Sequence, residues 1–485
     1  MAMIPFTRRL RNLAAADPDR VAVTCAHESL TRAELLRRGI DLAVWLRERG
    51  VVERDMVTVA APNSLDWFVA YVAIWLLGAV PQPISSRLPQ REIDAIMDLA
   101  NPSAVIGVPE GSIDGRLCVP MGFRAPHAGA AGDDLPEVVS YAWKAPTSGG
   151  STGRPKLIVS GDPAMLDDEA PTPLLLGNDG CIVMPGPLYH NGPAVWSCQA
   201  LLGGNHVVVL PRFDAEATLA AIEEYGATSL YTVPTMMKRI WRLPDEVKFG
   251  ADLGSLRVVW HLAEPCPEWL KQVWIDWLGA DRIYELYAGT EAQTATVITG
   301  QEWLAHRGSV GKAAPGTVKI TDADGNEVPV GEQGEVWMRS TRDTPTYIYI
   351  GADARTLDGG WESLGDMGRL DADGYLYLGD RAADMILSGG ANIYPAEVEA
   401  AIQEHAGVHS CAVIGLPDDD KGNAIHAIIE ADEASFDLDE LRSFLAERLV
   451  VYKLPRTFEF VDTPLRDDAG KVRRSALRAE RLGTE

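Results

Sequence analysis

Residues 147–156 read Thr147-Ser148-Gly149-Gly150-Ser151-Thr152-Gly153-Arg154-Pro155-Lys156, and the reading of the fold starts there. Glycine, serine and threonine supply unobstructed backbone N–H groups and hydroxyl donors, and amides oriented together form concavities that bind anions. The Walker-type phosphate loop needs Gly, four residues, then Gly-Lys-Ser/Thr. Five places after Gly149 stands Arg154, and five after Gly150 stands Pro155, so this run is not that loop. A flexible linker is the plain alternative. Against it, Arg154 and Lys156 bring positive charge, and Lys156 leads directly into the apolar Leu157-Ile158-Val159. A basic, hydroxyl-rich loop that enters a strand points to phosphate.

Size and charge bound what surrounds this loop. At 485 residues the chain exceeds what one hydrophobic core supports, so two or more domains are expected. A net charge of −25 argues against nucleic acid or an anionic membrane as the main partner. It also requires an anionic ligand to be held by local cations, of which Lys156, Arg381, Lys471, Arg473 and Arg474 are the candidates. The six cysteines have no CxxC spacing, which predicts reduced thiols in a cytoplasmic protein. Arg8, Arg9 and Arg11 are followed by no long apolar segment, so no signal peptide is expected. The most apolar run, Trp67 to Val80, is fourteen residues long and too short to span a bilayer. A buried helix is expected there.

Short β-rich runs alternate with helical patterns over the first three-quarters of the chain. Met56–Ala60 reads as a strand, and Ser64 is placed to cap the helix that follows to about Leu77. The spacing then predicts a helix over 216–225, a strand over 229–233, a helix over 234–241 and a strand over 256–260. Such alternation predicts parallel strands covered by helices. Composition changes near residue 380, after which a compact α+β unit of about 100 residues is expected. It reads strand 384–387, helix 395–404, strands near 410–415 and 424–430, helix 437–449, strand 457–461 and a basic helix from about 471.

Further unusual stretches follow the Gly/Ser/Thr run in order: Tyr287-Ala288-Gly289-Thr290-Glu291, then Leu364-Gly365-Asp366 with Arg381 downstream, then Gly470-Lys471. Each pattern alone fits a turn or a solvated surface. The ordered set resembles the adenylate-forming superfamily, in its acyl-CoA synthetase branch, from about residue 20 to the end. The resemblance implies an α/β fold: a large N-terminal domain (1–380) of parallel-rich sheets covered by helices, a hinge (381–384), and a small mobile α+β C-terminal domain (385–485). It implies ATP, Mg²⁺ and coenzyme A as cofactors and cosubstrates and a small carboxylic acid as substrate, and leaves a homodimer open.

The chemistry so implied is attack of a carboxylate on the α-phosphate of ATP. Both reactants are anions, so the site must neutralise charge and hold them in line. The match puts Ser148, Gly149, Gly150, Ser151, Thr152, Gly153 and Lys156 on the phosphates, with Gly149 where serine is frequent. Tyr287 and Ala288 lie by adenine, Thr290 by the α-phosphate, and Glu291 ligates Mg²⁺, a hard cation that takes carboxylate oxygen. Ala263, Glu264, Pro265 and Glu285 join the nucleotide set; Asp366 accepts from the ribose hydroxyls, assisted by Arg381. Lys471 is the catalytic ammonium between carboxylate and α-phosphate. His190, Trp196 and His261 border the acyl pocket. Ser388, Gly389 and Gly390 line the path for coenzyme A, and Ala383 stands at the hinge position. Within the branch, the loop and the segment Met184 to Pro193 are most similar to ligases for bulky polycyclic acids, of the bile-acid and diterpenoid (platensimycin and platencin) kinds. A carrier-protein acceptor, a non-catalytic nucleotide-binding regulator and a luciferase-like oxygenation remain alternatives at this point.

Overall fold

The computed structural model describes residues 3–113, 115–149, 155–381, 384–388, 391–418, 421–431, 436–467 and 470–483. The predicted alternation becomes a nine-stranded sheet. Its order is Lys312–Ala313, Ala295–Thr299, Ile283–Ala288, Val258–Leu262, Ser229–Thr232, Cys181–Met184, His206–Val209, Val21–Cys25 and Glu28–Thr31. From Ile283–Ala288 to Val21–Cys25 every pairing is parallel, and the outer pairings are antiparallel. Parallel strands need cover on both faces, and both are covered. Trp196, Trp260 and Leu262 join the core on one face, and Val259, Trp274 and Ile283 join the core on the other.

A second, four-stranded parallel sheet (Val80–Pro83, Met56–Val59, Ala104–Ile106, Leu117–Val119) packs nearby. The run from Trp67 lies in the helix Leu65–Leu76, in which every residue except Asp66 is buried. No helix among the described residues is long and apolar enough to cross a membrane. Ser64 occupies the N-cap but makes no side-chain cap bond; its hydroxyl donates to the Pro62 carbonyl instead. An antiparallel sheet is built around the long strand Trp361–Leu370. A three-stranded sheet joins Tyr347–Ile350, Pro155–Ser160 and Thr147–Gly149.

From Ile386 onward the chain builds its own core, including Val398, Ile402, Val413, Ile429 and Leu441. Strands Ser410–Asp418, Gly422–Glu430 and Thr457–Val461 carry the helices Pro395–Gln403, Leu438–Ala446 and Arg474–Leu482. Several expected boundaries move, the helix read at 437–449 ending at Ala446 and the strand near 410–415 running to Asp418, and three of the shifts have a visible cause. The strand read at 256–260 is Val258–Leu262, because Leu256 is buried in the preceding turn without being paired. The strand read at 384–387 is Ile386–Ser388, since Asp384 is held by Arg474. The last helix starts at Arg474, not 471, because Gly470 has φ +81° and the Lys471 N–H is held by Asp467 Oδ1.

The strand order reverses at Cys181–Met184. The chain goes to His206–Val209 on one side, then returns to Ser229–Thr232 on the other. Open α/β sheets bind ligands outside the carboxyl ends of strands at such a switch point. The segments leaving those ends carry His190, Thr235 and Glu264.

Candidate active site

The two sides of the Gly/Ser/Thr run come together as paired strands. Thr147–Gly149 pairs with Pro155–Ser160, and Ser148 stands opposite Lys156. Gly150, Ser151, Thr152 and Gly153 lie outside the described residues. Lys156 Nζ is 3.3 Å from Glu291 Oε1 and donates to the Tyr349 hydroxyl at 2.7 Å, lying 3.9 Å from the centre of that ring. Tyr349 in turn donates to Glu291 Oε1 at 2.5 Å. Glu291 is buried, and its backbone carbonyl accepts from Thr346 Oγ1 at 2.8 Å. A Cβ on Gly289 would stand 2.5 Å from the Leu364 methyl and 2.8 Å from Glu291 Oε2, so any larger residue there would have to displace one of these side-chain ends. Tyr349 was not legible in the sequence: it reaches Glu291 only because Tyr347–Ile350 pairs with Pro155–Ser160.

Of the residues expected at the nucleoside, Tyr287, Asp366 and Arg381 come together. The Tyr287 hydroxyl donates to Asp366 Oδ2 at 2.6 Å. Asp366 lies in the strand Trp361–Leu370 with Arg381 as its backbone partner on the neighbouring strand. Ala288 and Pro265 are exposed. Ala263 has φ +72° and Ala292 φ +54°, left-handed conformations that cost a non-glycine residue about 1–2 kcal/mol. They flank Glu264 and Glu291, where the chain turns sharply out of a strand or a loop.

Glu264 Oε2 accepts from the Thr235 N–H at 3.2 Å and the Thr235 hydroxyl at 2.8 Å, which caps the helix Pro234–Trp241. The residue is half-buried, yet its Oε1 is shielded from water and has no hydrogen-bond partner. Burial pushes this carboxyl up to about 7; Asp467 adds to the rise, and Arg466 and the Thr235 donors oppose it.

The three residues assigned to the acyl pocket divide between two faces of the sheet. His190 precedes the helix Asn191–Leu202, and Trp196 lies within it. The Trp196 ring meets Tyr231 at 5.5 Å and Trp260 at 5.8 Å, and Trp260 meets Tyr284 at 5.3 Å. Gly192 leaves room for the Tyr231 hydroxyl, which a Cβ would approach to 2.5 Å. His261 alternates with Trp260 and points to the opposite face, so it is separated from Trp196 by the sheet. There its Nε2 is 3.9 Å from Glu285 Oε2. Glu285 is held by Lys271 at 2.6 Å, and both are buried. This carboxylate is thus committed to an internal ion pair. Burial pushes His190 down to about 3, with Lys471 and Arg473 adding to the effect, and pushes His261 well below the usual range.

Lys144 was also not singled out in the sequence. It is buried, and its ammonium donates to Asn191 Oδ1 beside His190. Burial pushes it down to about 8, with Cys198, Glu291 and Asp162 opposing the fall. Lys471 follows Gly470, which is buried against Glu264. Ser388 is buried at the end of the strand Ile386–Ser388. Gly389, Gly390 and Ala383 lie outside the described residues.

Among the described residues no cluster of three His, Cys, Asp or Glu side chains is arranged to hold a metal ion by itself. Glu291 fits Mg²⁺ differently. Mg²⁺ is commonly held through one or two carboxylates together with substrate phosphates, and Glu291 is one carboxylate beside the phosphate-loop lysine.

Three outcomes follow from this geometry. Tyr349→Phe removes a hydroxyl bonded to both Lys156 and Glu291, so KM for Mg·ATP rises about tenfold with little change for the acid; steady-state kinetics check it. Lys271→Ala leaves Glu285 buried and unpaired and lowers stability by about 3–5 kcal/mol in denaturant unfolding. With folded-state values below the ordinary 6.5, His190 and His261 stay neutral as pH falls, while the unfolded chain gains protons. Their ring signals in NMR therefore do not titrate between pH 8 and 5, and this pair lowers stability as pH falls below 6.5.

Comparison with known proteins agrees with the geometry. The chain matches the AMP-binding enzyme family over residues 10–141 and 144–348, and the AMP-binding enzyme C-terminal domain over 397–471. It is 34% identical over 487 residues to a feruloyl-CoA synthase of Amycolatopsis sp, covering 96% of each chain. It is 29% identical to the 3-[(3aS,4S,7aS)-7a-methyl-1,5-dioxo-octahydro-1H-inden-4-yl]propanoyl:CoA ligase of Rhodococcus jostii, covering 95% of each. Its fold matches o-succinylbenzoate CoA synthetase of Bacillus subtilis, solved with an acyl-adenylate intermediate, at a TM-score of 0.81 and 22% identity over 99% of each chain. The chain belongs to the AMP-binding enzyme family, in the acyl-CoA synthetase branch of the adenylate-forming superfamily, whose members work with ATP, Mg²⁺ and coenzyme A.

Proposed function

We propose that this enzyme activates a bulky, ring-bearing carboxylic acid, of the polycyclic diterpenoid or steroid-like class, as its acyl-adenylate and transfers the acyl group to coenzyme A. The supporting observation is the aromatic array Trp196–Tyr231–Trp260–Tyr284, packed in the core where the helix that follows His190 lies on the sheet. Flat rigid rings gain dispersion and area burial from such a wall. A ligase for a fused-ring propanoyl group and one for an aryl acid among the relatives agree with that choice.

The residues divide the work as follows. Lys156 and the hydroxyls of the 147–153 run take the phosphates, and Tyr287 and Asp366 take adenine and ribose with Arg381 alongside. Ala263 and Pro265 border the adenine through their backbone. Mg²⁺, when bound at Glu291, neutralises charge on the phosphates and on the departing pyrophosphate. Neutral His190 closes the acyl side without adding a proton to the carboxylate that must attack. Thr290 and Lys471 meet the charge that develops at the α-phosphate. The second half-reaction follows rotation of residues 385–485 about 381–384, which brings Ser388, Gly389 and Gly390 to the acyl-adenylate.

A pyrophosphate-release screen of polycyclic, aryl and linear acids tests the substrate class. Turnover confined to ring-bearing acids is expected, and turnover with linear fatty acids alone would refute it. Product analysis with coenzyme A and with a phosphopantetheinylated carrier protein identifies the acceptor. Lys471→Ala lowers the adenylation rate by about 100- to 1,000-fold, the effect of removing one such electrostatic donor.

A further inference from the structure

Lys144 is a buried cation that lacks a countercharge. Its carbonyl accepts from the Ser160 N–H at 3.0 Å, which fixes the segment leading into Thr147 against the strand that begins beside Lys156. The side chain is buried, and the ammonium donates to Asn191 Oδ1, at the start of the helix that follows His190. Among the described residues the ammonium thus has a neutral amide as partner and no ion pair. Three acidic groups act on it from farther off: Cys198, Glu291 and Asp162. Burial holds Cys198 as a thiol, well above the ordinary range. Glu291 is taken by Lys156 at 3.3 Å and by the Tyr349 hydroxyl at 2.5 Å. Asp162 is partly exposed and pairs with Arg342 at 2.6 Å. The Trp143 ring, its centre 4.9 Å from Nζ, offsets a part of the cost. An ammonium kept in such a place is expensive for the fold.

The acid side of the site has the complementary need. A carboxylate that leaves water beside a triphosphate, in a chain of net charge −25, requires a cation. His190 does not supply one, because burial pushes it down to about 3. Lys156 is committed to Tyr349 and Glu291, and Lys471 is assigned above to charge that develops at the α-phosphate. Lys144 stands where the two sides meet: Asn191 ties it to the residue next to His190, and the charge of Glu291 reaches it.

We propose that Lys144 binds the carboxylate of the acid before adenylation, and that Asn191 holds its ammonium in the free enzyme. The inference rests on the adenylation reading above. A compact ammonium on a four-carbon stem can turn from an amide oxygen to a carboxylate, and the charged partner gives the compensation that the amide does not. The acid enters ionised and Lys144 stays protonated, so no proton moves between them. When the carboxylate oxygen bonds to the α-phosphorus and the bond to pyrophosphate breaks, the negative charge leaves that oxygen with the departing group. Lys144 then loses its hold, so its contribution belongs to substrate binding.

Lys144→Met, which keeps the length of the side chain and removes the charge, is the test. With the acid of lowest KM in the screen, KM for that acid rises at least about tenfold, the loss of one hydrogen bond to a charged group. KM for Mg·ATP stays within about twofold and kcat within about threefold, the signature of lost ground-state binding. The primary amide of the same acid, used as a competitive inhibitor, keeps its Ki within about twofold, so the preference for carboxylate over amide shrinks. Denaturant unfolding without ligand gives a midpoint equal to or above that of the wild type, because the variant no longer buries an uncompensated charge. An equal rise in KM for both substrates, an amide Ki that rises as much as KM for the acid, an unchanged KM for the acid, or a lower unfolding midpoint would overturn the proposal. Absence of turnover in the wild type with every acid would count against the proposed function instead, and the unfolding midpoint would still decide whether the Lys144 charge serves the fold.

Discussion

A half-buried ion pair ties the site together. Lys156 and Glu291 come from segments 135 residues apart, and Tyr349, from a third segment, bonds to both. Removing the cation would leave Glu291 as a carboxylate in a place with little water, at a cost of several kcal/mol. Keeping it holds the hairpin of the phosphate loop against the turn that carries Tyr287 and Thr290. In a protein of net charge −25, such a pair would, on the proposed function, also supply the local cation that a triphosphate needs. The global field repels the nucleotide, so the ammonium has to stand where the phosphates arrive. The carboxylate beside it is available to Mg²⁺.

The fold and the family were legible in one sequence because the distinctive residues concentrate in short runs. A loop needs Gly, Ser and Thr adjacent in the chain, and Tyr287 to Glu291 act from one turn, so order and spacing carried the inference. The pairing of Asp366 with Arg381 followed from the same order and became a backbone register between neighbouring strands. What escaped has a common physical cause. Val258–Leu262 is buried on both faces, so its sequence has no alternation from which to tell the side of Trp260 from the side of His261. Placing His261 in the pocket with Trp196 required that parity. Tyr349 likewise depends on strand pairing with Ile158, far away in sequence. Lys144 has no motif; its burial beside Asn191 comes from packing.

Backbone strain marks the same places. Ala263 and Ala292 adopt left-handed conformations that a glycine would take more readily. Each lies next to a carboxylate with a fixed direction, Glu264 toward Thr235 and Glu291 toward Lys156. The fold tolerates that cost because the surrounding sheet and helices over-determine the turns.

The most direct measurement of the central claim is a crystal structure with Mg²⁺ and a non-hydrolysable ATP analogue. The account predicts phosphates lying between Lys156 and Glu291, with the adenine beside Tyr287 and the ribose on Asp366. A nucleotide bound away from both Lys156 and Glu291 would contradict it.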